Sequence, residues 1–238
     1  MGIIYLSPSK LNLFRECPRC FHDAYTSDTP RPRGIMASLP GGMDLIMKKY
    51  VDQFRGKLPP GLEGKLPGVL FNDMATMKRW RFWKTGPSWR DEVKGIILIG
   101  ALDDCLVDGD IYIPLDWKTK GSEPKDDGSQ YYQTQLDCYN LMLEYTGKQV
   151  RDEGWLVYIW PVFASIYCAD DMAPRPIQPS DKDWFDVTFE FKPFKLACSR
   201  NRAKEIIYKA VECLRGPRPK PSDACEVCAF EERRKLLN

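Results

Sequence analysis

The sequence has little of what would point to a function by composition alone. It has a single histidine, its 35 Lys and Arg nearly balance 33 Asp and Glu, and no apolar run approaches the roughly 18 residues of a membrane span. A net charge of +2 does not by itself indicate a nucleic-acid-binding protein, so any attraction to phosphates must come from local patches. The N-terminus lacks a signal-peptide pattern. We therefore expect a soluble cytoplasmic protein with no membrane partner.

Nine cysteines in 238 residues stand out against this background. A chain of this length buries roughly 70% of its unfolded surface without disulfides, and a reducing compartment would keep its thiols free. Cys17, Cys20, Cys225 and Cys228 form two CxxC pairs, a spacing that binds Zn²⁺ or an iron–sulfur cluster. We expect a Cys₄ site that joins the chain ends, with His22 as a structural residue or spare ligand. The other five, expected in the core, are Cys105, Cys138, Cys168, Cys198 and Cys213.

Residues 100–118, GALDDCLVDGDIYIPLDWK, predict a β-hairpin. Apolar residues alternate on either side of Asp108-Gly109, a pair that favours a two-residue turn. Strand pairing would bring Asp103 and Asp116 together, and Lys118, two positions beyond Asp116, projects from the same face. Two carboxylates and one ammonium would then share a pocket.

An ionised carboxylate inside an apolar strand is costly to bury unless something compensates its charge. Mg²⁺ would do so, because it prefers oxygen ligands and takes one or two carboxylates from the protein. Lys118 could then orient or help to deprotonate a metal-bound water. The alternative is an edge-strand ion pair between Asp116 and Lys118, with Asp103 exposed at a strand end.

The order of these motifs resembles a known family. GALDD, a hairpin, PLDWKT and then a helix with QLDCY are similar to the core of the PD-(D/E)XK nucleases, most of all to the RecB-like branch that includes CRISPR-associated and AddB-type iron–sulfur nucleases. The resemblance implies Mg²⁺ or Mn²⁺ ligation by Asp103 and Asp116 and a catalytic role for Lys118. It also implies that Gln135 and Tyr139 help to position DNA and the lysine.

The opening LSPSKLNLFRECPRCF also resembles the iron–sulfur nucleases of that branch. The family commonly supplies one early cysteine and three late ones, whereas this chain has two of each, so Cys20 would act as the fourth ligand. The resemblance implies a 4Fe–4S cluster, with zinc as the alternative. It further implies a His or an acidic residue, on a helix before the metal-binding strands, that completes the metal shell. Asp44 is the candidate, and a helix N-terminal Asp favoured by the helix dipole is the alternative.

Residues 77–89, MKRWRFWKTGPSW, interleave basic and aromatic side chains. Such a segment can bind phosphates and stack on unpaired bases. The alternative is that the aromatic residues pack the segment onto the core while the charges face solvent. The candidate DNA contacts are Lys78, Arg79, Arg81, Trp83 and Lys84.

The predicted fold is one PD-(D/E)XK domain over residues 1–238. It is an α/β fold with a restriction-endonuclease-like mixed central sheet flanked by helices. Residues 1–26 and 216–238 would form the Cys₄ clasp, and residues 90–192 the catalytic sheet and helix. Further predicted elements are a helix that begins at Pro8 after an N-cap at Ser7, helices over 43–54, 130–145 and 195–214, and strands over 155–163 and 185–191.

The resemblance implies a DNA nuclease. Exonuclease action on single strands or DNA ends is expected, because no element is suited to reading base edges in the major groove. A helicase or CRISPR adaptation proteins are candidate partners. Two other classes stay open: a non-catalytic nucleic-acid-binding module stabilised by the Cys₄ site, and a redox protein that uses its thiols.

Overall fold

A computed structural model describes residues 2–28, 38–124, 129–162 and 187–235. The α-helices in these ranges are α1 (Pro8–Glu16), α2 (Pro18–Thr26), α3 (Ser38–Val51), α4 (Met74–Trp80), α5 (Ser129–Tyr145), α6 (Arg200–Arg215) and α7 (Glu226–Lys235). The strands are β1 (Ile4–Leu6), β2 (Val69–Leu70), β3 (Ser88–Asp91), β4 (Ile96–Ile99), β5 (Asp104–Asp108), β6 (Ile111–Thr119), β7 (Gln149–Val150), β8 (Glu153–Pro161) and β9 (Phe189–Ala197). Across these four ranges no helix has the length and apolarity needed to cross a bilayer.

The strands form two sheets. The larger has the order β2-β5-β6-β8-β9, with β7 paired to the start of β6. β5 and β6 are antiparallel, β6 and β8 are parallel, and β8 and β9 are antiparallel, so this sheet is mixed. In the smaller sheet β4 lies between β1 and β3. The predicted α/β class with a mixed sheet flanked by helices is confirmed.

Helices cover both faces of the larger sheet. One face packs on α5, which in turn packs on α1 and α6, and Leu136, Leu11 and Ile207 of these helices are fully buried. The opposite face packs on α3 through Met47 and Val51. Each fully buried side chain of this kind contributes about 1.5–3 kcal/mol relative to an exposed one, so the two clusters hold the sheet in place.

Strand β8 is buried on both faces of the larger sheet. Leu156 and Tyr158 belong to the cluster on one face, and Val157 and Ile159 to the cluster on the other. Successive strand residues point to opposite faces, and an interior parallel strand is buried on both. β6 pairs with β8 over five consecutive residues, Leu115 to Thr119, and is therefore fixed in register.

Local signals account for most helix ends. Ser7 caps α1 as predicted, since its Oγ accepts a hydrogen bond from the backbone N–H of Lys10 at 3.4 Å. The helix predicted over 43–54 instead begins at Ser38, because Pro40 is tolerated in a first turn. It ends at Val51, where a 3₁₀ turn, Asp52–Phe54, follows. The helix predicted over 130–145 is confirmed within one residue as α5.

Three strand and helix boundaries differ from the prediction. The hairpin is present, but its register pairs Asp108 with Ile111, so the turn residues are Gly109, with a φ of +61°, and Asp110. β8 begins and ends two residues earlier than predicted. β9 extends to Ala197, and α6 begins only at Arg200, because the Ser199 side chain caps its first turn.

The cysteines outside the CxxC pairs were predicted to fill the core. Cys105, Cys138 and Cys198 are buried, and Cys213 is half-buried. Burial raises the pKa of the three buried thiols, so they stay neutral and behave as small apolar groups. Cys168 lies outside the described residues.

Candidate functional site

Asp103 and Asp116 lie side by side at the end of the hairpin opposite its turn. The register pairs Asp104 with Leu115, which puts Asp103, directly before β5, beside Asp116 in β6. Asp116 is fully buried, and its Oδ2 lies 2.6 Å from Nζ of Lys118. β6 is an interior strand, so the alternative of an edge-strand ion pair is wrong.

Helix α5 adds two of the predicted residues to this pair of acids. Gln135 Nε2 donates to Asp116 Oδ1 at 3.1 Å and to Tyr139 Oη at 2.7 Å. The Tyr139 hydroxyl donates to the carbonyl oxygen of Ala101 at 2.6 Å. Burial raises the pKa of Tyr139 well above its usual value, which keeps this hydroxyl a donor. A Cβ at Gly100 would lie 3.3 Å from the Tyr139 ring, so this glycine allows the close approach.

Helix α3 reaches the site through a lysine that the sequence reasoning missed. Lys48 Nζ lies 2.8 Å from Asp44 Oδ2 and 3.1 Å from Asp103 Oδ1. Asp44 therefore contacts the site by way of Lys48. The four-residue spacing of Asp44 and Lys48 on a helix was the available signal, because such pairs share one helix face.

The charged groups of the site balance one another. Burial, followed by the charge of Asp103, raises the pKa of Asp116 to about 8, although Lys118 works against the shift. Burial tends to lower the pKa of Lys118, but Asp116 and Asp103 together raise it, so this lysine is an ammonium at neutral pH. Two ammonium groups face the carboxyl groups of Asp44, Asp103 and Asp116, and the proton that Asp116 retains balances the remainder.

A second buried acid beside the site also escaped prediction. Asp104 is fully buried and binds Arg55 through both oxygens, at 2.6 and 2.7 Å. Its Oδ2 also accepts from the Trp117 indole at 3.1 Å and from Arg81 Nη2 at 3.2 Å. Nε of Arg81 donates to the carbonyl oxygen of Asp103 at 2.9 Å, so this network fixes the backbone of an acid in the site.

We expect Asp104→Ala to lower the free energy of unfolding by about 3–5 kcal/mol, because the substitution leaves the guanidinium of Arg55 buried without its main partner. Urea denaturation measures the change. The control is Asp108→Ala at the other end of β5, where the ion pair with Arg151 is about 40% exposed and contributes little. Equal stability of the two variants would contradict this role for Asp104.

The candidate DNA contacts fall into two groups. Arg81 is bound internally to Asp52, Asp103 and Asp104, so the interpretation of this side chain as a surface DNA contact gives way to a structural one. The others are exposed on α4 or in the turn after it. Trp83 is 53% exposed, and Lys84 Nζ lies 5.4 Å from the centre of its ring. Lys78 and Arg79 face solvent.

The four cysteines of the CxxC pairs come together. Their sulfur atoms all lie within 4.8 Å of one another, and in the described ranges no other group of three or more Cys, His, Asp or Glu ligand atoms does so. Sγ of Cys20 lies 3.6 Å from Sγ of Cys225 and 3.5 Å from that of Cys228, and Cys17 lies 3.8 Å from Cys228. A cluster that could bind zinc or an iron–sulfur centre therefore joins the two ends of the described chain.

One thiol of this cluster ionises readily. Cys17 caps α2, where the helix dipole favours negative charge. Burial opposes ionisation of Cys17, but the backbone N–H groups of Ser222 and Cys20 and the neighbouring thiols lower its pKa to about 6. Burial and the neighbouring thiols raise the pKa of Cys20, and burial raises that of Cys228 to about 11, so a bound metal would have to displace their protons. His22, the candidate spare ligand, is not in the cluster, and its Nδ1 lies 3.1 Å from Thr26 Oγ1.

Other contacts close the clasp around the cluster. Arg218 binds Asp23 through two hydrogen bonds of 2.7 and 2.6 Å, and Ser222 Oγ donates to the carbonyl oxygen of Glu16. These bonds connect the segment before α7 to α1 and α2. The surface ion pair alone is weak, so the four thiols are the main connection.

The structure thus brings together Asp103, Asp116, Lys118, Gln135 and Tyr139. The hairpin pattern predicts this for the first three, and the resemblance implied it for Gln135 and Tyr139. Asp44 joins them through Lys48. The comparisons with known proteins do not assign the chain to a family. No family model matches this sequence, and no curated protein does.

Proposed function

We propose that this protein is a metal-dependent deoxyribonuclease of the PD-(D/E)XK type, close to the RecB-like branch, that acts on single strands or DNA ends. The observation that carries the proposal is the convergence of Asp103, Asp116 and Lys118 with Gln135 of α5 in one buried site. Packing alone does not explain a fully buried Asp116, because burial of an apolar side chain at this position would cost less free energy.

Asp103 and Asp116 would hold Mg²⁺ or Mn²⁺. Their carboxylate oxygens are the ligands that these ions prefer, and Lys48 and Lys118 now occupy the same oxygens as cations. A bound ion would polarise the phosphate and lower the pKa of a water. It would also displace the proton that burial keeps on Asp116, because a carboxylate must be deprotonated to bind a metal.

The remaining residues would position the reacting groups and stabilise the charge that develops on the phosphate. Lys118 is an ammonium, so its role is to place the attacking water and to stabilise charge that develops on the phosphate. Gln135 holds one oxygen of Asp116, and Tyr139 links Gln135 to the backbone before Asp103. Asp44 would hold Lys48 in place, or bind the metal if Lys48 moves away.

The Cys₄ site would be structural. Four sulfurs around a single ion at 2.3 Å stand about 3.8 Å apart. Here three of the six sulfur pairs are 3.5–3.8 Å apart, and all six lie within 4.8 Å. In a 4Fe–4S cluster each cysteine binds a different iron, so the sulfurs stand further apart. The geometry therefore favours zinc over the cluster that the family resemblance implies.

A non-catalytic nucleic-acid-binding module is the second candidate. Lys48 and Lys118 already neutralise both acids, which is the observation in its favour. On this account Mn²⁺ neither binds at the hairpin nor changes the fate of bound DNA.

Hydrolysis of end-labelled single-stranded DNA in Mn²⁺ separates these two functions. We expect cleavage by the wild type and a loss of about 10²-fold in Lys118→Ala, the cost of removing one group that stabilises developing charge. Lys120→Ala is the control, because Lys120 is an exposed lysine on the same stretch of chain. Absence of Mn²⁺-dependent cleavage by the wild type would contradict the nuclease function.

A further inference from the structure

A cleft opens directly beside the paired acids. Its volume is about 680 Å³, and Lys118, Gln135 and Tyr139 form the part of its lining nearest to Asp116. The volume is within the range of about 300–1,000 Å³ that is typical of ligand sites. A few nucleotides of one strand are of a size that suits this volume.

Aromatic side chains form the outer part of this cleft. Trp83, in the turn after α4, and Tyr131, in the first turn of α5, both line the cleft and are 53% and 56% exposed. Tyr132, which also lines the cleft, packs edge-on against Tyr131 with ring centres 5.0 Å apart. Nζ of Lys118 lies 4.8 Å from the centre of the Tyr132 ring, so the aromatic wall continues to the acid pair.

Positive charge accompanies the aromatic wall. Lys78, Arg79 and Lys84 are exposed on α4 and in the turn after it, and Lys84 lies over the Trp83 ring. Among the residues that the structure describes, Glu16 is the one acidic residue that lines the cleft. Exposed rings next to basic side chains are typical of sites that bind single strands, where rings stack on bases and cations attract phosphates.

We propose that Trp83 and Tyr131 stack on unpaired bases of a single DNA strand, so that its phosphates pass Lys118 toward Asp103 and Asp116. The direction of the strand, toward Asp103 and Asp116, rests on the proposed nuclease function. The stacking itself requires no metal and no hydrolysis. Stacking on unpaired bases makes Tyr131 a specificity residue. It also explains why single strands, rather than duplexes with paired bases, would enter the cleft.

The test compares two ligands that differ only in their bases. Binding of a fluorescent oligo-dT strand and of an abasic strand of equal length is measured by anisotropy without added divalent metal. We expect the wild type to prefer oligo-dT, and Trp83→Ala and Tyr131→Ala each to weaken its binding by roughly 5- to 150-fold. Binding of the abasic strand should change little in these variants, because the phosphate contacts remain.

Two exposed aromatic residues outside the cleft lining provide matched controls. Phe82 is 48% exposed beside Trp83, and Tyr145 is 50% exposed at the other end of α5. Phe82→Ala and Tyr145→Ala should bind both strands as the wild type does, and Trp83→Phe should retain most of the preference. Equal affinity of the wild type for the two strands, or wild-type affinity in Trp83→Ala and Tyr131→Ala, would overturn the proposal.

The result is separable from that of the nuclease assay. Base-dependent binding through Trp83 and Tyr131 without cleavage in Mn²⁺ would support the stacking site while the hydrolysis proposal fails. The opposite result is cleavage of single strands together with normal binding by the Trp83→Ala and Tyr131→Ala variants. It would support the nuclease function and rule out the stacking site.

Discussion

Asp116→Asn should abolish Mn²⁺-dependent DNA cleavage, with a fall in rate of about 10³-fold or more. A metal ion contributes several kcal/mol of transition-state stabilisation, and loss of a carboxylate ligand forfeits most of it. The fold should survive, because burial already favours the neutral form of Asp116 and an asparagine has nearly the same shape. The measurements are the initial rate of cleavage and the Mn²⁺ affinity by calorimetry, both of which should fall.

The control for this substitution is Asp110→Asn. Asp110 is an exposed acid in the turn of the same hairpin, remote from the paired end, and its substitution likewise replaces a carboxyl group with an amide. Cleavage by Asp116→Asn at the wild-type rate would remove this residue from the metal site. A fall of the same size in both variants would point to a general effect of losing a carboxyl group from the hairpin.

Loss of a metal ion from the Cys₄ site should destabilise the fold strongly. A ligand present at about 1,000 times its dissociation constant stabilises the folded state by about 4 kcal/mol, which is about 8–16 °C in Tm for a chain of this size. Cys228→Ser should lose the bound metal and show a fall of this order, because Cys228 lies within 4 Å of two other sulfurs. Thermal unfolding and metal analysis of the purified protein measure both effects.

Cys213→Ser is the matched control. Cys213 is half-buried near the clasp, where its sulfur contacts the carbonyl oxygen of Pro18, but it is outside the cluster. The variant should keep the metal and nearly the wild-type Tm. The sulfur spacing predicts one zinc per chain and a colourless sample. Four irons with absorbance near roughly 400 nm would instead indicate the cluster.

Residues joined by short-range patterns were predictable from the sequence. Alternating apolar positions predicted the hairpin, and the observed turn, one residue later than Asp108-Gly109, puts Asp103 opposite Asp116. A four-residue helical spacing placed Gln135 with Tyr139. Two CxxC pairs were enough to predict that the chain ends meet, since thiols grouped in this way act together.

Residues that depend on long-range packing were not predictable. Arg55 lies 49 residues before Asp104 in the chain, and no periodicity connects them. One signal was available, because neighbouring strand residues face opposite sides and Asp103 and Asp104 could not both enter one site. The predicted boundaries of β9 and α6 are wrong for another reason. Residues 189–197 mix apolar and charged side chains in a pattern that suits either element, and the capping by Ser199 decides the boundary.

A metal ion that binds at this site must replace existing ion pairs. In the structure Lys48 binds both Asp44 and Asp103, and Lys118 binds Asp116, so both lysines neutralise the proposed ligands. A divalent ion would replace at least part of this charge. The buried network around Asp104 keeps the backbone of Asp103 in position while the side chains rearrange.

A crystal soaked in Mn²⁺ shows whether a divalent cation binds between the paired acids. We expect anomalous density between the carboxylates of Asp103 and Asp116, with metal–oxygen distances of about 2.0–2.6 Å and with Lys48 displaced from Asp103. Carboxylates that remain paired to Lys48 and Lys118, with no density between them at saturating Mn²⁺, would contradict this expectation.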